Sequence, residues 1–335
     1  MEWRLQCPKC GFRGAPGEYH PWCPKCGGPL EIVGATPRYD SIMGEGSTPL
    51  VDFNGVLLKL EYLNPTGSFK DRGVSYSLQL ARDLGYQCVV VDSSGNTAIS
   101  VAAFAGRLGL EAKVYIPRGA GGGKRALVKA LGARVFEVES REEAAEASRR
   151  EASRCFHVAH MTSPFFLEGM KGLGLELKAE AEGADVILPV SSGSLLLGVY
   201  RGLREAGVMG FRLIAVQSPR AASLRGRVRV LGEIGGSSGR LLDALVVKSP
   251  SRLSEIAEAI ESSGGGVVVV GDSAVREALG ELVRSGFIVE PSSAAAWAAF
   301  RLLREQGVLR RRVIVVLTGS GLKYPEVLAR EATGS

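Results

Sequence analysis

The residues best placed for chemistry lie in one decapeptide, Asn64-Pro65-Thr66-Gly67-Ser68-Phe69-Lys70-Asp71-Arg72-Gly73. A rigid Pro-Thr-Gly turn leads into a single lysine flanked by polar residues. Ser68, followed three residues later by Asp71, reads as a capping pair at a helix start. That spacing puts Lys70 in the first helical turn, where the positive end of the helix dipole disfavours an ammonium group. A lysine whose charged form is disfavoured serves as a nucleophile or bonds covalently to a carbonyl group. A capping pair taken alone favours a solvated surface lysine; the whole decapeptide does not.

A second group is sulfur. Cys7, Cys10, Cys23 and Cys26 form two Cys-x-x-Cys knuckles with 12 residues between them. Each continues as Cys-Pro-Lys-Cys-Gly, with a glycine where the backbone must turn around a metal. Four thiolates suit a closed tetrahedral zinc site and leave no open position for catalysis. The alternative is a pair of disulfides, which a reducing compartment disfavours. Cys88 and Cys155 lie in apolar segments and read as plain core residues.

Three further loops each follow an apolar run. Ser93-Ser94-Gly95-Asn96-Thr97 comes after Asp92 and opens a helix, so hydroxyls and backbone amides converge as they do around a carboxylate. Ser191-Ser192-Gly193-Ser194-Leu195 comes after Val190 with the same geometry, and phosphate is its natural ligand. It is not a Walker loop, because no Gly-Lys-Ser/Thr follows. Thr318-Gly319-Ser320-Gly321 comes after Leu317 and presents a hydroxyl where open α/β sheets bind ligands. Each of these alone is equally an ordinary capped turn. Together with an amine they match what pyridoxal phosphate and an amino acid require. Val289-Glu290-Pro291-Ser292-Ser293-Ala294 opens another helix, with small residues that permit close approach.

Elements of two kinds must position these groups. Short apolar runs at 88–92, 112–116, 134–138, 186–190, 213–216, 267–270 and 313–317 read as strands. Helical spacing occurs at 97–109, 141–154, near 166–182, 195–206, 273–285 and 293–305. Near-continuous apolar strands alternating with helices predict α/β architecture with parallel sheets covered on both faces. The Gly/Ser-rich stretches Gly232 to Gly239 and Ser262 to Gly266 read as mobile loops.

Length suggests about two domains. The formal net charge of +6 is modest and dispersed. It fits solubility or attraction of anionic substrates better than nucleic-acid binding. No apolar run is long enough to span a bilayer, and Met1-Glu2-Trp3-Arg4 leads directly into the first cysteine motif, so the expected location is the cytoplasm.

From about Gly44 to Lys323 the sequence resembles the fold type II pyridoxal-phosphate enzymes, and among them the threonine synthases. The matching motifs are Gly44-Glu45-Gly46-Ser47-Thr48-Pro49-Leu50, Asn64 to Gly73, Glu290-Pro291-Ser292-Ser293-Ala294 and Leu317-Thr318-Gly319-Ser320-Gly321-Leu322-Lys323. The resemblance implies two open, mostly parallel sheet domains covered by helices, as in the tryptophan synthase β chain, behind the small N-terminal zinc ribbon. The expected boundaries are 1–33 for the ribbon, 34–80 with 166–335 for a large cofactor domain, and 81–165 for a small mobile domain.

It also implies roles. Lys70 would bond covalently to pyridoxal phosphate. Ser93, Ser94, Asn96 and Thr97 would hold the substrate carboxylate, with Asn96 also reaching the cofactor ring oxygen. Ser191, Ser192, Gly193, Ser194 and Leu195 would cradle the cofactor phosphate, and Thr318 would face the pyridine nitrogen. A small amino acid would be the substrate, in a homodimer. The implied reaction converts O-phosphohomoserine and water to threonine and phosphate. One stretch departs from the pattern. His160, Met161 and Phe166 stand where related threonine synthases carry Asn, Ser and Arg, and Ser191-Ser192 replaces a usual Gly-Asn. A substrate phosphate carries nearly two charges, so Lys124, Arg125 or a protonated His160 would have to compensate. The alternatives are β-elimination or β-replacement on serine, threonine or an O-activated serine, or a zinc-ribbon binding protein with an inactive body.

Overall fold

The computed structural model describes residues 2–119 and 122–332. In chain order its strands are β1 (Arg4–Gln6), β2 (Glu31–Val33), β3 (Leu50–Phe53), β4 (Val56–Lys59), β5 (Cys88–Asp92), β6 (Glu111–Pro117), β7 (Arg134–Val138), β8 (Phe156–His157), β9 (Asp185–Pro189), β10 (Arg212–Gln217), β11 (Val230–Ile234), β12 (Gly266–Val270) and β13 (Val313–Val316). Its helices are α1 (Lys70–Asp83), α2 (Asn96–Leu108), α3 (Gly122–Ala130), α4 (Arg141–Glu151), α5 (Pro164–Glu176), α6 (Ser194–Glu205), α7 (Leu253–Ser262), α8 (Asp272–Arg284), α9 (Pro291–Glu305) and α10 (Pro325–Ala332). Among the described residues no helix is long and apolar enough to cross a membrane.

The chain forms two compact units. One holds residues up to 46 with 70–170; the other holds 47–69 with 171 onward. These divisions differ from the expected boundaries: the ribbon, the strap at 34–46 and helix α1 all belong with the smaller sheet. Hydrogen bonds from Tyr76 Oη to Pro37 O (2.8 Å) and from Gln79 to Asp40 O (3.0 Å) tie that strap to α1.

In the first unit, four parallel strands run in the order β7-β6-β5-β8. In the second, the order is β11-β12-β10-β9-β13-β4-β3, parallel except for β3 at the edge. Strands β9, β12 and β13 are buried at every position. Their unbroken apolar runs therefore reflect helices on both faces. Helix α9 lies in the core of this unit, with Trp297 and Phe300 buried, and its Ser/Ala start lets it pack tightly.

Three features differ from expectation. Strands β3 and β4 form a hairpin across Asn54-Gly55, both at positive φ (56° and 80°), the two-residue turn that suits a twisted antiparallel pair. The Gly232 stretch is not simply a loop, because pairing with β12 draws residues up to Ile234 into β11. Likewise Ser262 ends α7 and Gly266 begins β12.

The third correction concerns sulfur. Cys88 and Cys155 are joined by a disulfide, with Cα atoms 4.8 Å apart. Parallel pairing of β5 with β8 brings them together, a proximity their separation of 67 in sequence does not reveal. Closing a loop of that length restricts the unfolded chain and stabilises the fold by about 4 kcal/mol. Reduction, or the Cys88→Ser/Cys155→Ser variant, should lower the urea midpoint accordingly. Equal midpoints with and without reductant would contradict the bond's structural role.

Candidate active site

The carboxyl ends of three neighbouring parallel strands of the second unit carry the loops singled out above. Beyond β4 the chain passes through a short 3₁₀ turn, Glu61–Leu63, into Asn64-Pro65-Thr66-Gly67. Beyond β13 come Leu317 to Gly321, and beyond β9 come Val190 to Gly193. Because β4 pairs with β13 and β13 with β9, these loops lie side by side. In open α/β sheets ligands bind at that edge.

Backbone bonds lock the lysine loop to the β13 loop. Tyr62 N donates to Leu317 O (3.0 Å), Phe69 N to Thr318 O (3.1 Å) and Ser320 N to Gly67 O (2.9 Å). The Lys323 ammonium also donates to Gly67 O at 2.7 Å. Asn64 is buried and donates to Glu61 O and Oε2 (2.8 and 3.0 Å), which fixes the turn. The buried Thr318 hydroxyl lies 3.2 Å from Ser293 Oγ at the start of α9.

Helix α1 begins at Lys70 itself. The expected Ser68–Asp71 cap is not made by Ser68. Its backbone is engaged in a bridge with Gly319, and its fully buried Oγ has no hydrogen-bond partner. A buried, unsatisfied hydroxyl costs about 1–3 kcal/mol. It lies one residue from Phe69 and two from Lys70.

The Ser191–Leu195 loop opens α6. Gly193 is the N-cap, at φ 84°, and a Cβ there would meet Ile256 Cδ1 at 2.1 Å. Only glycine satisfies both the conformation and the space. Ser191 Oγ accepts from Val247 N (3.3 Å), and the buried Ser192 and Ser194 hydroxyls lie 3.4 Å apart. No side chain caps this helix, so its first amides present the positive dipole end to the loop.

The first unit presents the other residues. Ser93 to Gly95 follow β5, and α2 starts at Asn96, also without a side-chain cap. Asn96 and Thr97 are buried, and Ser93 Oγ accepts from Gly95 N (3.2 Å). A small cavity borders this loop, lined by Ser93, Ser94, Arg125 and apolar side chains. Arg125 is already paired with Glu137 at 3.0 Å. Lys124 is buried at the start of α3.

Strand β8 neighbours β5, so the loop at 158–163 lies beside the Ser93 loop. This sets His160 and Phe166 near Lys70, whose ammonium is 5.6 Å from the Phe166 ring centre. Phe166 is fully buried against Gly73, where an added Cβ would meet the ring at 2.7 Å. His160 packs edge-on to Phe166, with ring centres 6.1 Å apart. Burial, the Lys70 charge and His157 together push the His160 imidazole down to about 3. It is therefore neutral at ordinary pH, which disfavours the expected role of a protonated His160 as phosphate partner.

The four ribbon cysteines also come together. Their sulfurs all lie within 4.8 Å of one another, with Cys7–Cys26 at 3.6 Å and Cys10–Cys23 at 3.5 Å. The two knuckles repeat one turn, with Gly11 N donating to Cys7 O and Gly27 N to Cys23 O. All four are free thiols, and the set can hold a metal ion.

The profile of the pyridoxal-phosphate dependent enzymes matches residues 42–319. This chain is a member of that family, on its threonine synthase branch. It is 30% identical over 313 residues to a threonine synthase of Methanocaldococcus jannaschii, covering 85% of this chain and 77% of the relative. It is also 30% identical over 309 residues to one of Mycobacterium tuberculosis, covering 86% and 84%. Among solved structures, O-ureido-L-serine synthase superposes with a TM-score of 0.74 at 19% identity, covering 89% of this chain and 96% of that one. Processed threonine deaminase isoform 2 of Solanum lycopersicum gives 0.72 at 23%, covering 86% and 88%. At those identities the superpositions establish the fold. The family membership makes the chain a pyridoxal-phosphate enzyme of the lyase type, and the unpaired Ser68 hydroxyl and uncapped α6 amides fit an anionic cofactor.

Sequence reasoning assigned Ser68 Oγ to a cap that it does not make. It also passed over His157, which is buried with Nδ1 unpartnered and Nε2 3.1 Å from Ser148 Oγ. Asp92 Oδ1 lies 3.8 Å from that same Nε2, so the three do not form a relay through opposite ring nitrogens. Burial, and then Arg149, push His157 down from 6.5 to about 4. The unfolded chain therefore takes up a proton that the folded one refuses. Stability contributed by the neutral ring is full above about pH 6.5 and falls by up to about 3 kcal/mol as pH drops towards 4. His157→Gln should flatten the urea-midpoint profile in that window; an unchanged slope would contradict the assignment.

Proposed function

We propose that the protein converts O-phosphohomoserine and water to threonine and phosphate, with pyridoxal phosphate bound covalently at Lys70. The observation that carries this reading is the bonding of the Gly67–Phe69 turn to Thr318–Ser320. It anchors the residue before Lys70 at the strand edge that also carries the Ser191 loop.

When bound, the cofactor supplies an electron sink for charge developing on the substrate's carbon skeleton. The protein supplies the rest. Amides at the start of α6, with Ser191, Ser192, Gly193, Ser194 and Leu195, hold the cofactor phosphate without a cation. Ser93, Ser94, Asn96 and Thr97 hold the substrate carboxylate, and Asn96 also orients the ring. Thr318 would meet the pyridine nitrogen with a neutral hydroxyl, which would not keep a proton there as a carboxylate would. This would temper the sink and favour elimination and replacement over transamination. Lys70 Nζ would take the Cα proton and return it.

A second reading keeps the cofactor and changes the substrate. The wall beside Lys70 is neutral His160 and aromatic Phe166, and burying a phosphate dianion there without a cation is costly. That favours β-elimination from serine or threonine. Parallel assays with O-phosphohomoserine, O-phosphoserine plus sulfide, and threonine separate the two. Threonine formed from the first supports the main proposal; 2-oxobutyrate from threonine alone replaces it with the second. Lys70→Ala should lose turnover and should no longer retain the cofactor through denaturation after borohydride reduction, a treatment that bleaches the yellow colour of the parent protein and fixes the cofactor to its chain; a fully active variant would refute the role of Lys70.

We assign zinc to Cys7, Cys10, Cys23 and Cys26. The sulfur separations approach the edge of about 3.8 Å expected for a tetrahedron with Zn–S bonds near 2.3 Å. Purified protein should carry one zinc per chain and Cys10→Ser less; full zinc content in a Cys10→Ser/Cys26→Ser variant would remove the assignment. A homodimer acting on a small amino acid completes the proposal, on the strength of the resemblance.

A further inference from the structure

The loop at 158–163 leaves β8 with Val158 N bonded to Val90 O (2.9 Å), and it closes with Thr162 N and Ser163 N bonded to Ala159 O (3.0 and 2.8 Å). Strand β8 is only two residues long and pairs on one side, with β5. After it, Ala159 N bonds to His157 O and His160 N to Val158 O, a pair of three-residue turns. These bonds set the course of the main chain, while the direction of its side chains depends on what packs against the loop. This loop carries His160, beside Lys70 and Phe166.

The ribbon adds a second set of contacts, which bracket His160 on both sides. Before it, Tyr19 Oη donates to His157 O (2.7 Å), and the Tyr19 ring stacks on Phe156 at 4.1 Å. Burial pushes the Tyr19 phenol well above its ordinary range, so it remains a donor. Trp22 meets the His157 ring edge-on at 5.2 Å. After it, Thr162 Oγ1 donates to Pro21 O (2.8 Å). Farther along, Trp3, only 1% exposed, packs edge-on against Phe165 at 4.7 Å. Tyr19, Pro21 and Trp22 all lie between the two cysteine knuckles. Their arrangement therefore depends on the knuckles being held together.

We propose that the ribbon is a positioning element for the catalytic lysine's surroundings. Tyr19, Pro21 and Trp22 hold residues 156–163, and so set His160 and Phe166 as the wall that the substrate side chain meets. The cysteine cluster acts on the site through this contact, without touching substrate or cofactor.

The test uses full-length, cofactor-loaded protein. Tyr19→Phe removes the phenol hydroxyl, and Thr162→Val removes the second donor with little change of shape. In the double variant, amide exchange within 157–163 should accelerate about tenfold, while α2 and α6 keep their protection. Unchanged exchange in 157–163 would overturn the clamp. For the positioning role, the KM for O-phosphohomoserine should rise about fivefold with kcat within about twofold, and Thr162→Ser should restore Thr162→Val. Faster exchange with an unaltered KM would reduce the ribbon to a purely structural part. The KM measurement rests on the proposed reaction, whereas the exchange measurement does not, so failure of one is distinguishable from failure of the other. Removing the metal with a chelator should loosen 157–163 together with the ribbon; a loosened ribbon over a still protected loop would contradict the link to the cysteines.

Discussion

The pairing of β4 with β13 does not stop where the strands stop. Leu317 N still bonds to Lys59 O, Tyr62 N to Leu317 O, Phe69 N to Thr318 O and Ser320 N to Gly67 O. Two loops that would otherwise be independent thus move as one piece, continuous with a buried sheet. Backbone bonds are well suited to this, since they fix position without consuming side chains needed for chemistry. The cost is visible at Ser68, whose main chain serves the bridge while its buried hydroxyl is left without a partner. Strain or unmet polarity at a functional site is tolerable when the surrounding fold over-determines the geometry.

Much of this was legible in the sequence because the chemistry is local. A lysine behind a rigid turn, and glycine-bearing loops between apolar strands and helices, are short-range signals that parallel-sheet architecture turns into one edge. What remained illegible depended on strand order. Nothing in the chain says that β8 lies beside β5, and hence that Cys88 can reach Cys155 or that His160 lies near the Ser93 loop. The β3–β4 hairpin is different: Asn54-Gly55 between apolar residues is a strong short-range sign and was overlooked. Strand β11 was hidden for a physical reason, since Gly232 breaks its apolar run and the partner β12 supplies the order instead.

The ribbon illustrates the same limit. Spacing alone was enough to group its four cysteines, because a tetrahedral site requires little beyond two matched turns. Its destination was not readable, because docking depends on aromatic faces scattered over the chain: Tyr19 on Phe156, Trp22 on His157, Trp3 on Phe165. A module of about thirty residues cannot bury much apolar surface by itself. Burying its aromatic residues against the first unit supports both the module and the short strand it covers.

Charge follows one logic throughout. The Ser93–Thr97 and Ser191–Leu195 loops contain no lysine or arginine, and each opens an uncapped helix. Amides bind anions without an ionic group that must be desolvated or that titrates. Arg125 could have placed a charge near the first loop, but it is held by Glu137. His160 could have placed one beside Lys70, but burial and the lysine itself keep the imidazole neutral. Lys70 therefore faces an aromatic ring and a neutral imidazole in its own unit. A second cation at that spot would compete with the ammonium for every nearby acceptor and would oppose proton uptake at Nζ. The wall that these two side chains form carries no charge of its own and so offers no direct grip on an anion.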